Sequence, residues 1–224
     1  MATADFTTSA PGPRHAGGEA EPARAEKIGR TQRTRRALGL AALELFEVRG
    51  VESVTASDIA RHAGVTERTF FRHFRTKEEA ALLIHQRFEA ALMGGLPAEP
   101  DAPPQEVLRN VYRSVLRTFE DRRSPETVVM LRVQTLVASS PQLRLASLRR
   151  DDERAEELVA HLLTPASSRP VLDELDVRMA VEVVGAAVRV AFTSWAASDG
   201  TASLADLFER CLASPALERS SQDA

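Results

Sequence analysis

Apolar residues in this chain recur at three- and four-residue intervals, and Val and Ile never alternate with polar residues in a strand-like run. That pattern predicts an all-α fold. A first helix is expected from about Thr31 to Arg49, where Leu38, Ala42, Leu45 and Phe46 stand at i, i+4, i+7 and i+8 and so form one buried stripe. Gly50 follows as a left-handed C-cap, with Val51 positioned to fold back on the last turn. Thr55 then caps a short second helix, and Asp58 completes a capping-box pattern; Ile59, Ala60 and Ala63 are the inward positions. Gly64 breaks that helix and Thr66 opens a third, with Val65 and Phe70 at the two positions of a hydrophobic staple. A fourth start follows at Thr76, with Glu79 as its capping partner.

Two short helices joined by Ala63-Gly64-Val65 describe a helix-turn-helix unit. So tight a turn makes the helices cross steeply and pushes the second outward, where it can enter a groove. After the Gly/Pro-rich connection from Gly94 to Pro104, longer helices are expected at about Gln105 to Arg123, Glu126 to Ser139, Gln142 to Leu163, Glu174 to Ser198 and Leu204 to Ala213. The Glu174 to Ser198 segment is apolar on nearly every side, through Met179, Val181, Val184, Val188, Phe192 and Trp195. Such a helix is buried on both faces, one against its own core and the other against a second copy, so a homodimer is expected. The fold class is therefore an N-terminal helix-turn-helix three-helix head followed by a larger helical-bundle regulatory and dimerisation body. The expected division is a flexible tail at 1–26, the head at 27–85 and the body at 86–224.

Thr55, Ile59-Ala60, Ala63-Gly64-Val65-Thr66, Phe71-Arg72-His73-Phe74 and Lys77, preceded by Ala41-Ala42-Leu43-Glu44-Leu45-Phe46 and Gly50, stand at fixed mutual spacings. In these residues the chain resembles the DNA-binding segment of the tetracycline-repressor (TetR) family of bacterial transcription regulators, over roughly residues 30–85. The resemblance implies binding of double-stranded DNA by the third helix. In the body it implies a small-molecule effector pocket whose occupancy shifts the two heads of a dimer.

Each residue has its own physical reading. Thr55 and Thr66 sit at helix N-caps, where free N–H groups favour a phosphate, and they also cap. On the third helix Glu67, Arg68 and Arg72 are expected outward, with Phe70 and Phe74 inward. Arg68 can pair bidentately with a guanine edge, Glu67 can accept from cytosine, and Thr69 can touch a thymine methyl or a phosphate. Arg72, further along the helix, suits a phosphate. Phe71 stands where the family carries a tyrosine, so a hydroxyl contact to the DNA backbone is replaced by stacking alone. His73 matches the family's histidine near the DNA backbone and serves equally as a packing residue. Arg35, with Arg33 and Arg36, adds either phosphate contacts or a basic arm. Lys77 falls in the first turn of the fourth helix, where its charge opposes the macrodipole, and a neighbouring phosphate would rescue it.

In the body the candidate effector contacts are Tyr112, Phe119, Gln134, His161, Arg189, Phe192 and Trp195, with Met130, all of which suit a core or dimer interface as well. Arg178, Glu182 and Arg189 share one helix stripe that suits a carboxylate ligand, solvent or a partner subunit. The acids Asp151, Asp152, Glu153, Glu156 and Glu157 spread around their helix with no histidine near, which favours a solvated face over a metal site.

Charge sharpens the division. The net of −3 over 224 residues conceals a segment from Arg24 to Leu92 with 13 basic and 9 acidic residues, followed by a body with 15 against 20. A basic head on an acidic body suits a polyanion partner. No apolar run reaches the roughly 18 residues of a membrane span. Residues 1–10 lack a secretory pattern, and Cys211 is alone. A cytoplasmic protein without cofactor, metal or membrane contact is expected. No phosphate loop, nucleophile elbow or zinc-protease motif suggests an enzyme. Two rival readings are a dimeric regulator without a ligand and a helical small-molecule binder whose head is an interaction module.

Overall fold

A computed structural model describes residues 20–97, 102–164 and 172–214, with side chains from residue 28 onward. Among them the regular structure is helical, with no strand. The head is made by α1 (Ala20–Arg49), α2 (Ala56–His62), α3 (Glu67–His73) and α4 (Lys77–Ala81). The α5 helix (Leu83–Gly95) leads into the body formed by α6 (Pro104–Arg117), α7 (Pro125–Ser139), α8 (Pro141–Leu163), α9 (Glu174–Ala197) and α10 (Leu204–Leu212).

Local chemistry sets the boundaries. The α1 helix starts at Ala20, inside the stretch expected as tail, and Pro22 falls in its first turn, where a missing N–H costs nothing; residues 1–19 lie outside the described residues. Gly50 (φ 77°) and Gly64 (φ 70°) take the left-handed conformation that closes α1 and turns α2 into α3. Thr55, Thr66 and Thr76 each accept a backbone N–H at the next helix start. Ser124, Ser140 and Ser203 do the same in the body, the first two followed by proline at the first helical position. The expected fourth helix is broken at buried Leu82 (φ −84°, ψ 12°) into α4 and α5.

The buried residues form one apolar core, from Leu38 in α1 to Phe208 in α10. In the head, Leu38, Ala42 and Phe46 of α1 meet Ile59, Phe70 and Phe74. In the body α9 lies against α6, α7, α8 and α10. An aromatic cluster fills the centre: Phe88 of α5 is 5.7 Å from Phe192 and 6.1 Å from Tyr112, and Phe119 is 6.4 Å from Trp195. The position expected to divide head from body, between residues 85 and 86, falls in the first turn of α5, just after the break at Leu82.

Among the described residues only one face of α9 is covered. Val177, Val184, Val188, Ala191 and Trp195 are buried, while Leu175 (68%), Met179 (54%) and Val190 (54%) are exposed along the other side.

Polar groups cross the head–body joint. The Arg132 guanidinium donates twice to Glu47 at 2.7 Å, joining α7 to α1. Arg150 pairs with Glu89, and Arg154, itself buried, pairs with Asp151 at 2.6 Å and sits 6.0 Å over the Phe88 ring. The Gln134 amide donates to Nε2 of buried His85 at 3.2 Å. Burial, followed by the charges of Arg150 and Arg154, pushes His85 from 6.5 down to about 3. Its ring is neutral in the fold but takes a proton near pH 6.5 once unfolded. The unfolded chain therefore binds the extra proton between about pH 6.5 and 3. The stability held by the neutral ring is complete above that window and falls as acid is added. The urea midpoint should decline from pH 7 to pH 5, and His85→Gln should flatten that decline; an unaltered slope would assign the acid sensitivity to other groups.

Candidate nucleic-acid interface

The surface that can meet DNA is held by threonine caps on either side of the turn. Thr55 Oγ1 accepts from the Asp58 N–H at 3.1 Å, and Asp58 accepts the Thr55 N–H at 3.1 Å. These Thr55 hydrogen bonds, helped by Arg49 and Arg61, hold the Asp58 carboxyl below its ordinary range. Thr66 Oγ1 accepts from the Thr69 N–H at 3.2 Å and lies 3.0 Å from the Thr69 hydroxyl. His62 lies 2.9 Å from Glu44, tying α2 back to α1.

With α3 fixed in this way, its faces separate as the spacing requires. Phe70 and Phe74 are buried 5.8 Å apart, while Glu67, Arg68 and Arg72 are exposed. Phe71, 53% exposed, stands edge-on to Phe70 at 5.3 Å, so its ring is supported from beneath and open above. Among the described residues neither Arg68 nor Arg72 makes an ion pair, which leaves both guanidinium forks available for base edges or phosphates.

His73 is half-buried with Nε2 unpartnered, and burial, then Arg72 and Arg35, lowers its pKa. Arg35 holds its guanidinium carbon 5.3 Å from the centre of the Phe74 ring with Nε buried and unpartnered, so the head group packs on the head's core.

Lys77, expected as a phosphate contact, also has a task inside the head. Its Nζ donates to the carbonyls of Val51 at 2.6 Å and Val54 at 2.8 Å. A charge that looked misplaced at a helix start is satisfied by two carbonyls of the α1–α2 loop, and it holds that loop where Thr55 can cap α2. The misplaced charge was the only sequence signal, because its acceptors lie 26 and 23 residues away.

In the body a cavity of about 410 Å³ opens among α5, α7, α8 and α9. Met130, Gln134, Arg189 and Phe192 line it, as do His85, Phe88 and Arg154, which sequence reasoning missed. Tyr112, Phe119 and Trp195 sit in the buried aromatic cluster, outside the cavity lining, and His161 on α8 is also outside it. The Arg178–Glu182–Arg189 stripe divides. Arg178 pairs with Glu174 at 3.0 Å and Glu156 at 2.9 Å, whereas Arg189 turns to the cavity. Of the acidic run on α8, Asp151 pairs with Arg154 and the other four acids are exposed.

Residues 40–82 match the sequence profile of bacterial regulatory proteins of the tetR family. The HTH-type transcriptional regulator TcmR of Streptomyces glaucescens is 32% identical over 167 residues, covering 73% of this chain and 74% of TcmR. The chain belongs to the tetR family of bacterial regulatory proteins. The putative mycofactocin biosynthesis transcriptional regulator MftR of Mycobacterium tuberculosis (strain ATCC 25618 / H37Rv) is 29% identical over 107 residues, covering 48% of this chain and 52% of MftR. The fold is shared with the crystal structure of NalD, the secondary repressor of the MexAB-OprM multidrug efflux pump in Pseudomonas aeruginosa: 22% identity, a TM-score of 0.51, 86% of this chain and 99% of that one.

For this tetR-family DNA-binding regulator, Lys77 separates a structural role from a phosphate contact. Replacing it by Met strips two loop carbonyls of their donor, which should lower unfolding stability by about 1–3 kcal/mol in urea titrations. The slope of log affinity against log salt on duplex DNA should not change, whereas a lost phosphate contact would flatten it by about 0.9.

Proposed function

We propose that this regulator is a homodimeric repressor that holds a roughly palindromic operator through α3 and lets go when a small molecule fills the body cavity. The exposed row Glu67, Arg68, Phe71 and Arg72, with Phe70 and Phe74 anchoring the helix from behind, carries the reading. Arg68 and Glu67 lie near the helix N-terminus and read base edges; Arg72 takes a phosphate, and Thr55, Thr66, Thr69, Phe71, His73 and Arg35 support the docking. The exposed Leu175, Met179 and Val190 on α9 support a two-fold interface with a second copy. Half-sites would then lie about 34–36 Å apart or further. Occupying a promoter in this way blocks access without further machinery, which favours repression.

The joint supplies a route for release. The α7 helix carries Met130 and Gln134 on the cavity and Arg132 in the twofold bond to Glu47 of the head. A ligand that displaces α7 must move that bond, and DNA and ligand then weaken each other equally. A hollow of about 690 Å³ lies between α1, α5 and α7, with Arg33, Arg36 and Arg87 in its lining.

The reading is tested by fluorescence anisotropy on DNA upstream of the protein's own gene, against a scrambled duplex at several salt concentrations. Preference of about a thousand-fold with a steep salt slope is expected; equal weak binding to both would count against it. Arg68→Ala should cost about 1–3 kcal/mol on the operator and relax sequence preference at one position, with little change on scrambled DNA. Met179→Glu should shift the protein to monomer in sedimentation and abolish tight operator binding; a dimer unaffected by it would place the interface elsewhere.

A further inference from the structure

We infer that the molecule this cavity takes is an organic anion, an apolar and preferably aromatic body carrying one acidic group, and that Arg189 holds the charge. The inference rests on the cavity being the effector site. Its volume, about 410 Å³, suits a small organic ligand. Phe88 and Phe192, 5.7 Å apart and nearly perpendicular, form one apolar side with Met130 and Val188.

The charges of the lining do not balance. Arg144, Arg154 and Arg189 face Asp151, and among the described residues no other carboxylate lines the space. Asp151 is already committed to Arg154 at 2.6 Å, and His85, neutral, accepts from Gln134 at 3.2 Å. Arg144 donates to the Ala138 carbonyl at 2.7 Å and is exposed at the rim.

Arg189 is the remaining cation. It is half-buried, and no carboxylate pairs with it among the described residues. Its Nη1 lies 3.6 Å from the position a Cβ would take on Gly185, one turn back, so the guanidinium lies along α9 in the wall of the cavity. A guanidinium partly withdrawn from water with no counter-ion is poorly stabilised. An incoming carboxylate, sulfonate or phosphate can accept two parallel N–H bonds from it. A cationic ligand would meet three arginines, and a neutral one would leave the fork unpaired.

The test uses the full-length protein and two fluorescent probes of nearly the same shape, 1-anilinonaphthalene-8-sulfonate and its uncharged counterpart N-phenyl-1-naphthylamine. The sulfonate should bind at least about tenfold more tightly. Arg189→Met should abolish that preference while leaving the neutral probe within about threefold, and Arg189→Lys should keep part of it. Val137→Trp, which fills the cavity, should expel both probes. Competition by 1-naphthoate, 1-naphthyl phosphate and uncharged 1-naphthamide then ranks the acidic groups, with the amide weakest.

Equal binding of the two probes to the unaltered protein overturns the anion assignment and leaves the cavity standing; that comparison needs no variant to fold. An Arg189→Met protein that weakens both probes alike keeps the preference, and overturns the assignment of the charge to Arg189. If neither probe binds, or both survive Val137→Trp, the reading of the cavity as effector site fails, and this inference with it.

Discussion

Phe88 sits on α5 yet is buried among Tyr112, Phe119 and Phe192, so the helix that leads out of the DNA-binding head is anchored in the middle of the body. Burying a phenylalanine is worth about 1.5–3 kcal/mol, and each edge-on or tilted aromatic neighbour adds a fraction more. The α5 helix runs unbroken from Leu83 to Gly95, and the break at Leu82 separates it from α4, so its body end and its head end belong to one rod that meets the head at that break. The same ring lines the cavity. One side chain thus belongs to the core, to the joint and to the wall a ligand would touch.

Around this apolar anchor the joint is unusually polar. Arg154, Asp151, Glu89, Arg150 and His85 are drawn inward between α5 and α8, and burial raises the Glu89 carboxyl even beside its arginines. Such groups add little net stability, because desolvation offsets the attraction between them. They are directional, however, and each must find its own partner. A joint built from them has a defined register that an apolar contact would lack, and a competing ligand charge can reach it.

The DNA-facing surface obeys the opposite logic. Among the described residues the arginines of α3 make no ion pair, while the Thr55–Asp58 box and the Lys77 bonds to Val51 and Val54 fix the elements around it. Rigid support behind and unpaired charge in front is the arrangement that positions side chains on a polyanion at low entropic cost.

Much of the head was legible in the residues alone. Helix starts at Thr55, Thr66 and Thr76, turns at Gly50 and Gly64, and the inward Phe70 and Phe74 all follow from rules spanning a few residues, because caps, left-handed glycines and helical periodicity are local physics. The family was legible for the same reason, since its motif lies within one short segment. Tertiary structure alone decided the rest. It gave Lys77 the carbonyls of Val51 and Val54 to hold. It chose Met130, Gln134, Arg189 and Phe192 for the cavity wall while keeping Tyr112, Phe119 and Trp195 off it, and it joined Glu47 to Arg132 across 85 positions of chain. Periodicity tells which side of a helix is apolar, but which apolar side closes on a neighbour and which faces a void depends on how helices far apart in sequence are packed.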